Sequence, residues 1–372
     1  AGALIMKFWF PDVPAVVWSG IFIVVLFILN YLSTRAYGEG EYIFASVKVG
    51  MVLLFLVLGV LLITGVIGGG SPGTSNWTTG DAPFVGGAGS VIAISMIAAF
   101  SFQGTELIGI AAGESENPHK AVPKAIHNVF WRILLFYIGT MVVIGFLLPY
   151  TDPNLLHTDV ESVAISPYML ALDRTGFPAA ASLVNFVILT AVLSGGNSGL
   201  YASTRMLYAM AEAGEAPKCF AKVNKRGVPL NALLLTTAFG FLAFLSSLIG
   251  DGTAYQWLMQ LSGMTVFVVW LGIAVCHYRF RRAFKAQGLS LDILPYRASC
   301  FPFGVYLALI LCTIVIVGQN YAAFTGSEVD WGGVISTYIG IPVIIAFYLW
   351  YKFKYHTKLI PLKEIDLSKK EY

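Results

Sequence analysis

Glu106 is the residue of this sequence whose position most clearly suggests chemistry. It lies within residues 88–113, an otherwise uncharged stretch that is long enough to cross a bilayer. A charged side chain at the bilayer centre costs at least about 2.5 kcal/mol, so such a residue usually faces a cavity and has a function. We therefore predict that Glu106 binds a cationic group, a proton, or both. The alternative is a buried glutamate that a neighbouring helix satisfies.

The residues before Glu106 predict a broken helix. Gly104 lowers helix propensity, and Ser101 and Gln103 are polar side chains at the same depth. Interrupted helices at the membrane midplane are where many transporters bind their substrates. We expect open backbone around Ser101–Gly104, and we expect Gln103 to exchange hydrogen bonds with a ligand.

Lys48 is a second ionisable residue inside an apolar stretch, residues 43–67. Two interpretations remain open for it. Its ammonium can reach the membrane interface along its own hydrocarbon stem. Alternatively, it is a buried ammonium that takes the place of a coupling cation and changes protonation during transport.

Small polar residues cluster at two further points. Ser262 and Gly263 lie at mid-depth in a later apolar stretch. Another apolar stretch ends in residues 193–205, where small side chains let helices approach closely. There the hydroxyl and amide groups serve either packing or a substrate; they are Ser194, Asn197, Ser198, Ser203 and Thr204.

The elements that must position these residues are transmembrane helices. Of the 372 residues 57% are hydrophobic and 12% are charged, whereas soluble domains have about 25% charged residues. The sequence predicts an all-α polytopic membrane protein with a single transmembrane domain, residues 1–351, and a solvated tail, 352–372. The predicted spans are 15–33, 43–67, 88–113, 129–149, 177–204, 230–249, 254–278, 302–322 and 333–351.

The loops between these spans predict an orientation and no catalytic chemistry. Most of the 23 Lys and Arg residues fall in alternate loops, which places those loops and the tail in the cytoplasm. Glu114 then lies in a cytoplasmic loop, either solvated or in a gating salt bridge, and Asp159 lies in an outer loop. No zinc spacing, P-loop, dinucleotide fingerprint or nucleophile–histidine–acid set is present, so we expect no enzyme, cofactor or nucleic-acid partner.

The first ten residues lack a start methionine and the layout of a signal peptide. They look like the end of a span with an aromatic belt. We therefore expect the chain to be a fragment.

Several runs carry a resemblance to the amino acid–polyamine–organocation superfamily. Residues 100–106 resemble its unwound sixth helix, residues 115–123 the loop after it, and residues 197–208 the eighth helix of bacterial amino acid permeases. Further runs resemble the bacterial lysine permeases; they are residues 102–114, 131–136, 149–153, 277–282 and 330–333.

This resemblance implies a LeuT-like 5+5 inverted-repeat fold of twelve helices. The nine spans would be helices four to twelve, with the first two helices and most of the third absent. The first helix carries the glycine-rich break that holds the substrate's carboxylate in this family, so part of the site would lie outside this chain.

The resemblance also implies roles for individual residues. Phe100 matches the aromatic gate, Gln103 and Glu106 match substrate-facing positions, and Ser262 matches a position that lines the pocket. Lys48 matches the lysine that stands where sodium lies in sodium-coupled relatives.

The function that this resemblance implies is proton-coupled import of L-lysine across the bacterial inner membrane by alternating access. The expected partners are L-lysine, protons and the lipid bilayer. A permease or exchanger for arginine or another amino acid remains an alternative. Another is a lysine sensor that acts through a membrane-bound transcriptional regulator, with Asp159 as a candidate contact.

Overall fold

The computed structural model is helical, and no strand occurs in the residues that it describes. These residues are 1–32, 34–68, 70–87, 90–91, 94, 98, 101–106, 108–109, 117–153, 167–168, 170, 180–245, 248, 250–294, 296–298, 300–319, 322–325 and 329–367. Their α-helices are α1 (Gly2–Met6), α2 (Ala15–Leu32), α3 (Thr34–Ile63), α4 (Pro118–Arg132), α5 (Gly139–Leu147), α6 (Ala180–Glu212), α7 (Leu230–Gly240), α8 (Asp251–Ala286), α9 (Phe303–Gly318), α10 (Ala322–Thr325), α11 (Trp331–Tyr338) and α12 (Gly340–Tyr355). A π-helical segment, Ile133–Ile138, joins α4 to α5, and short 3-10 helices cover Ser75–Trp77, Lys218–Ala221, Phe241–Leu245 and Leu291–Ile293.

Several of these helices can cross a membrane. A crossing takes about 20 apolar residues, because each helical residue rises about 1.5 Å and the hydrocarbon layer is about 30 Å thick. The helix pair α11 and α12, bent by 40°, is one candidate span. The single helical segments that meet the requirement are Ala15–Leu32, Gly38–Ile63, His119–Leu147, Ala181–Glu212 and Thr253–Ala286. The chain is therefore a multi-pass membrane protein, as its composition predicts.

Six of the nine predicted spans coincide with these candidate spans. Predicted spans 230–249 and 302–322 coincide with shorter apolar helices, Leu230–Phe244 and Phe303–Gly318, and most of residues 88–113 lie outside the described residues. Two helices continue well past the predicted ends: α6 reaches Glu212 and α8 reaches Ala286. The reason is physical: hydropathy marks where a helix leaves the hydrocarbon, whereas backbone hydrogen bonds can continue the helix into water.

Residues 1–85 and 128–255 form one compact unit. An apolar core in this unit joins α3, α5 and α6, and its member Phe55 is 1% exposed. The ring of Phe55 contacts the ring of Tyr168, with centroids 4.5 Å apart. The buried members of this core are Met51, Phe55, Leu62, Val143, Leu147, Leu148, Val184 and Val187.

Residues 86–127 and 256–372 form the second unit. In it, the Gln260 side-chain oxygen on α8 accepts hydrogen bonds from Ser336 Oγ at 2.6 Å and Thr337 Oγ1 at 3.2 Å. Ser336 and Thr337 are both buried on α11. This polar contact joins α8 to α11 inside the second unit.

The described part of the C-terminal tail contacts α8. Gln287 Nε2 donates to the carbonyl oxygens of Leu362 at 3.1 Å and Ile365 at 2.8 Å. Arg279 donates to the carbonyl oxygen of Ile360. The described residues of the tail are mostly exposed, and these hydrogen bonds hold the tail along the end of α8.

Candidate functional site

Residues 101–106 are turns rather than helix, so the predicted interruption is confirmed. Gly104 has a φ of +94°, a conformation that residues with a Cβ rarely adopt. The Ser101 N–H donates to the carbonyl of Ala98 at 2.9 Å, and the Gly109 N–H donates to the carbonyl of Glu106 at 2.9 Å. Local hydrogen bonds therefore stabilise both ends of the break.

The Glu106 carboxylate is hydrogen-bonded to the backbone of its own turn. The Gly104 N–H donates to both carboxylate oxygens, at 3.2 Å to Oε1 and 3.1 Å to Oε2. The side chain of Glu106 is half-buried. The break therefore orients the carboxylate as well as opening the backbone.

Trp270, on α8, provides a second donor to this carboxylate. Its indole Nε1–H lies 3.0 Å from Glu106 Oε2. The two donors, an indole and a backbone amide, are both neutral, so they orient a carboxylate without cancelling its charge. An anion held in this way can still pair with a cationic group of a ligand.

Sequence reasoning missed Trp270. It follows Ser262 by eight residues, which places both on one face of α8. That spacing is the only sequence signal for Trp270, and it does not separate this residue from other aromatic residues on the helix.

Gln103 and Ser262 meet, although they are distant in sequence. Gln103 Nε2 donates to Ser262 Oγ at 3.3 Å. Ser262 is exposed and Gln103 is half-buried, and Ser101 at the start of the break is exposed. Both α8 residues, Ser262 and Trp270, thus face residues of the break.

A separate polar cluster lies within the first unit, around Lys48 on α3. Lys48 Nζ donates to Ser194 Oγ of α6 at 2.8 Å. Ser194 is 1% exposed. Lys48 itself is half-buried, and its amine points at this buried hydroxyl.

The acid Glu41 belongs to the same cluster. Ser194 Oγ donates to Glu41 Oε2 at 2.6 Å, and Asn197 Nδ2 donates to Glu41 Oε1 at 2.8 Å. Asn30 Nδ2 in turn donates to Asn197 Oδ1 at 2.8 Å. The buried side chains of Ser194 and Asn197 therefore hydrogen-bond polar side chains of other helices, which is more than a small-residue packing role.

Glu41 was missed because the predicted span began at residue 43. In the structure the apolar helical segment begins at Gly38 and includes Glu41. The signal was available: Glu41 and Lys48 are seven residues apart, which places them on one helical face. Three other predicted residues, Phe100, Glu114 and Asp159, lie outside the described residues.

Comparison with known proteins gives consistent matches over the chain. Residues 1–363 match the family described as amino acid permease. The lysine-specific permease LysP of Escherichia coli (strain K12) is 51% identical over 372 residues, which is 100% of this chain and 76% of that protein. LysP of Lactococcus lactis subsp. cremoris (strain MG1363) is 47% identical over 375 residues, 99% of this chain and 73% of that protein. The histidine permease HisP of the same strain is 45% identical over 369 residues, 99% of this chain and 76% of that protein.

Proposed function

Because this chain belongs to the amino acid permease family, we propose that it imports L-lysine with a proton by alternating access. The observation that carries the proposal is the Glu106 carboxylate, held at a helix break by the neutral donors Gly104 and Trp270. Similarity to two lysine-specific permeases supports lysine as the substrate.

The two amino groups of a lysine molecule each have a partner in this proposal. The ε-ammonium pairs with Glu106, and Gln103 and Ser262 add hydrogen bonds beside it. Carbonyl groups of the break around Ser101–Gly104 accept from the α-ammonium. Phe100 closes the pocket, a role that rests on the family resemblance. A neutral side chain would leave the carboxylate unpaired in a desolvated cleft, which disfavours other amino acids.

Lys48 carries the coupling proton in this scheme. Its contact with Ser194 supports this role, because that hydroxyl is buried. We place the protein in the bacterial inner membrane with its tail in the cytoplasm. Glu114 is then a candidate gating residue.

The test is radiolabelled lysine uptake into proteoliposomes, with and without an imposed pH gradient. Glu106→Gln keeps the size of the side chain and removes its charge. Losing one partner of a buried ion pair typically costs about 3–5 kcal/mol, so we expect uptake to fall by roughly 100-fold or more. Glu364→Gln, a change at an exposed acid of the tail, is the matched control and should leave uptake unchanged. Wild-type uptake by Glu106→Gln would remove Glu106 from the mechanism.

A second candidate substrate is histidine, because a histidine permease is 45% identical to this chain. Competition by unlabelled lysine, arginine and histidine separates the two candidates at a pH where free histidine is neutral. We expect lysine to compete best. Stronger competition by histidine would assign the site to that substrate instead.

A further role as a lysine sensor would need a partner protein, with Asp159 as the proposed contact. A membrane-bound transcriptional regulator is the partner that the resemblance implies. Asp159→Asn should then abolish lysine-dependent signalling and leave transport intact. Parallel loss of signalling and transport would count against a separate sensing surface.

A further inference from the structure

The polar cluster around Lys48 contains an uninterrupted chain of hydrogen-bonding groups, and its charged ends, Glu41 and Lys48, are half-buried. Lys48 Nζ donates to Ser194 Oγ at 2.8 Å, and Ser194 Oγ donates to Glu41 Oε2 at 2.6 Å. An acid and a base are thus joined by a single hydroxyl group, which can accept a proton from one side and release its own proton to the other.

Two helices fix this arrangement. Glu41 and Lys48 lie two turns apart on one face of α3, and Ser194 of α6 lies between them. Asn197, three residues after Ser194, holds the second oxygen of Glu41 at 2.8 Å. Asn30 of α2 holds Asn197 in turn, and it also donates to the carbonyl of Leu26 at 2.9 Å. The orientation of the Glu41 carboxylate is therefore set by two buried amides.

The groups between the two charges of this hydrogen-bonded chain are buried. Ser194 and Asn197 are each 1% exposed and Asn30 is 8% exposed. A lone charge in such surroundings is costly, so the carboxylate and the ammonium stabilise each other's charged forms. Loss of the proton from one group therefore favours its capture by the other.

We propose that Glu41 exchanges the coupling proton with Lys48 through the Ser194 hydroxyl. This inference rests on the proposed proton-coupled function. In the transfer, the Lys48 ammonium gives a proton to Ser194 Oγ while Ser194 gives its own hydroxyl proton to Glu41 Oε2. The products are a neutral amine, an unchanged hydroxyl and a neutral carboxylic acid, so atoms and charge balance. Glu41 lies nearer the start of α3, which is the cytoplasmic end in the proposed orientation.

Other charged groups act on the same pair. Arg132, at the end of α4, is a cation whose charge interacts with Lys48. Glu39 is exposed on α3, two residues before Glu41. The residues that α6 and α2 present to the pair, Ser194, Asn197 and Asn30, are uncharged.

The test separates coupling from movement of the substrate. Exchange of internal for external lysine needs no deprotonation, whereas accumulation driven by a pH gradient does. We expect Glu41→Gln and Ser194→Ala to lose pH-driven accumulation by about 100-fold, the usual effect of removing a positioned proton-transfer group, while exchange continues. Ser194→Thr, which restores a hydroxyl, should recover accumulation.

Thr190→Ala is the matched control for the loss of a hydroxyl. Thr190 lies one turn before Ser194 on α6, and its hydroxyl donates to the carbonyl of Val187 in the same helix at 2.8 Å. This variant should behave as wild type.

Wild-type accumulation by both Glu41→Gln and Ser194→Ala would overturn the relay. Equal loss of exchange and accumulation would also overturn it, because that result assigns the cluster a structural role. If the wild-type protein transports lysine without any response to pH, the proposed coupling fails, and this result is visible before any variant is made.

Discussion

At the scale of single residues, Gly104 determines the geometry of the candidate site. Its φ of +94° lies where a Cβ is strained, and its N–H is a donor to Glu106. Such backbone strain costs about 1–3 kcal/mol. Gly104→Ala should therefore lower the thermal stability of the detergent-solubilised protein and weaken lysine uptake together.

Gly109 offers a control for this prediction within the same segment. It is helical, and a Cβ added there would meet no atom within 4 Å. Gly109→Ala should leave the melting temperature unchanged or slightly raised, because alanine allows the unfolded chain fewer backbone conformations than glycine does. Equal effects of the two substitutions would show that the conformation of Gly104 is unimportant.

Trp270 leads to a second prediction at this scale. Trp270→Phe keeps an aromatic ring but removes the N–H that lies 3.0 Å from Glu106 Oε2. Hydrogen bonds to charged groups contribute about 1.5–3 kcal/mol, so KM for lysine should rise roughly tenfold or more. Trp350→Phe changes an exposed tryptophan of α12 and should leave KM unchanged. An unaltered KM in Trp270→Phe would mean that the indole does not position the carboxylate.

The sequence predicted some of these residues and missed others for a physical reason. Glu106 and Lys48 are charged residues in apolar stretches, and the sequence alone shows such a contrast. Trp270 and Asn30 are ordinary residues of membrane helices, and their contacts depend on how each helix is rotated about its axis. Rotation is set by packing between helices, which a single sequence does not display.

At the scale of helices, the close approach of α3 and α5 depends on Gly59. A Cβ added to Gly59 would overlap Val143, which is 4% exposed and β-branched, so it cannot easily turn away. Overpacking of this kind typically costs about 1–3 kcal/mol. Gly59→Ala should therefore lower the melting temperature in detergent.

Gly50→Ala, on the same helix, is the control because a Cβ there meets no atom within 4 Å. It should have a neutral or slightly stabilising effect. If Gly59→Ala were equally neutral, α3 and α5 would have to separate easily, contrary to their shared apolar core.

Helix existence was easier to predict than helix extent. The apolar runs of the chain gave the number and approximate position of the predicted spans, because a helix needs about 20 apolar residues to cross a bilayer. The end of α8 at Ala286 was not predicted, since its last turns are polar and charged. The contact of Gln287 with the tail depends on that extension, so it too was invisible in the hydropathy pattern.

At the scale of the whole molecule, two kinds of inference supported the function. Composition and charge placement predicted a multi-pass membrane protein on physical grounds. The proposed substrate came from a resemblance to relatives, because a carboxylate at a helix break accepts any suitably placed cation.

Proton-coupled lysine import also predicts a particular response to membrane voltage. Lysine carries one positive charge, so a cycle with one proton moves two charges inward, and each is worth about 2.3 kcal/mol per 100 mV. At 100 mV, inside negative, the limiting accumulation ratio should rise about 2,000-fold, since about 1.4 kcal/mol corresponds to a factor of ten. Lysine moving alone would give a rise of only about 50-fold by the same conversion. A potassium gradient with valinomycin sets the voltage in proteoliposomes, and Glu106→Gln vesicles give the background. A rise near the smaller value would exclude proton coupling and leave lysine transport itself in place.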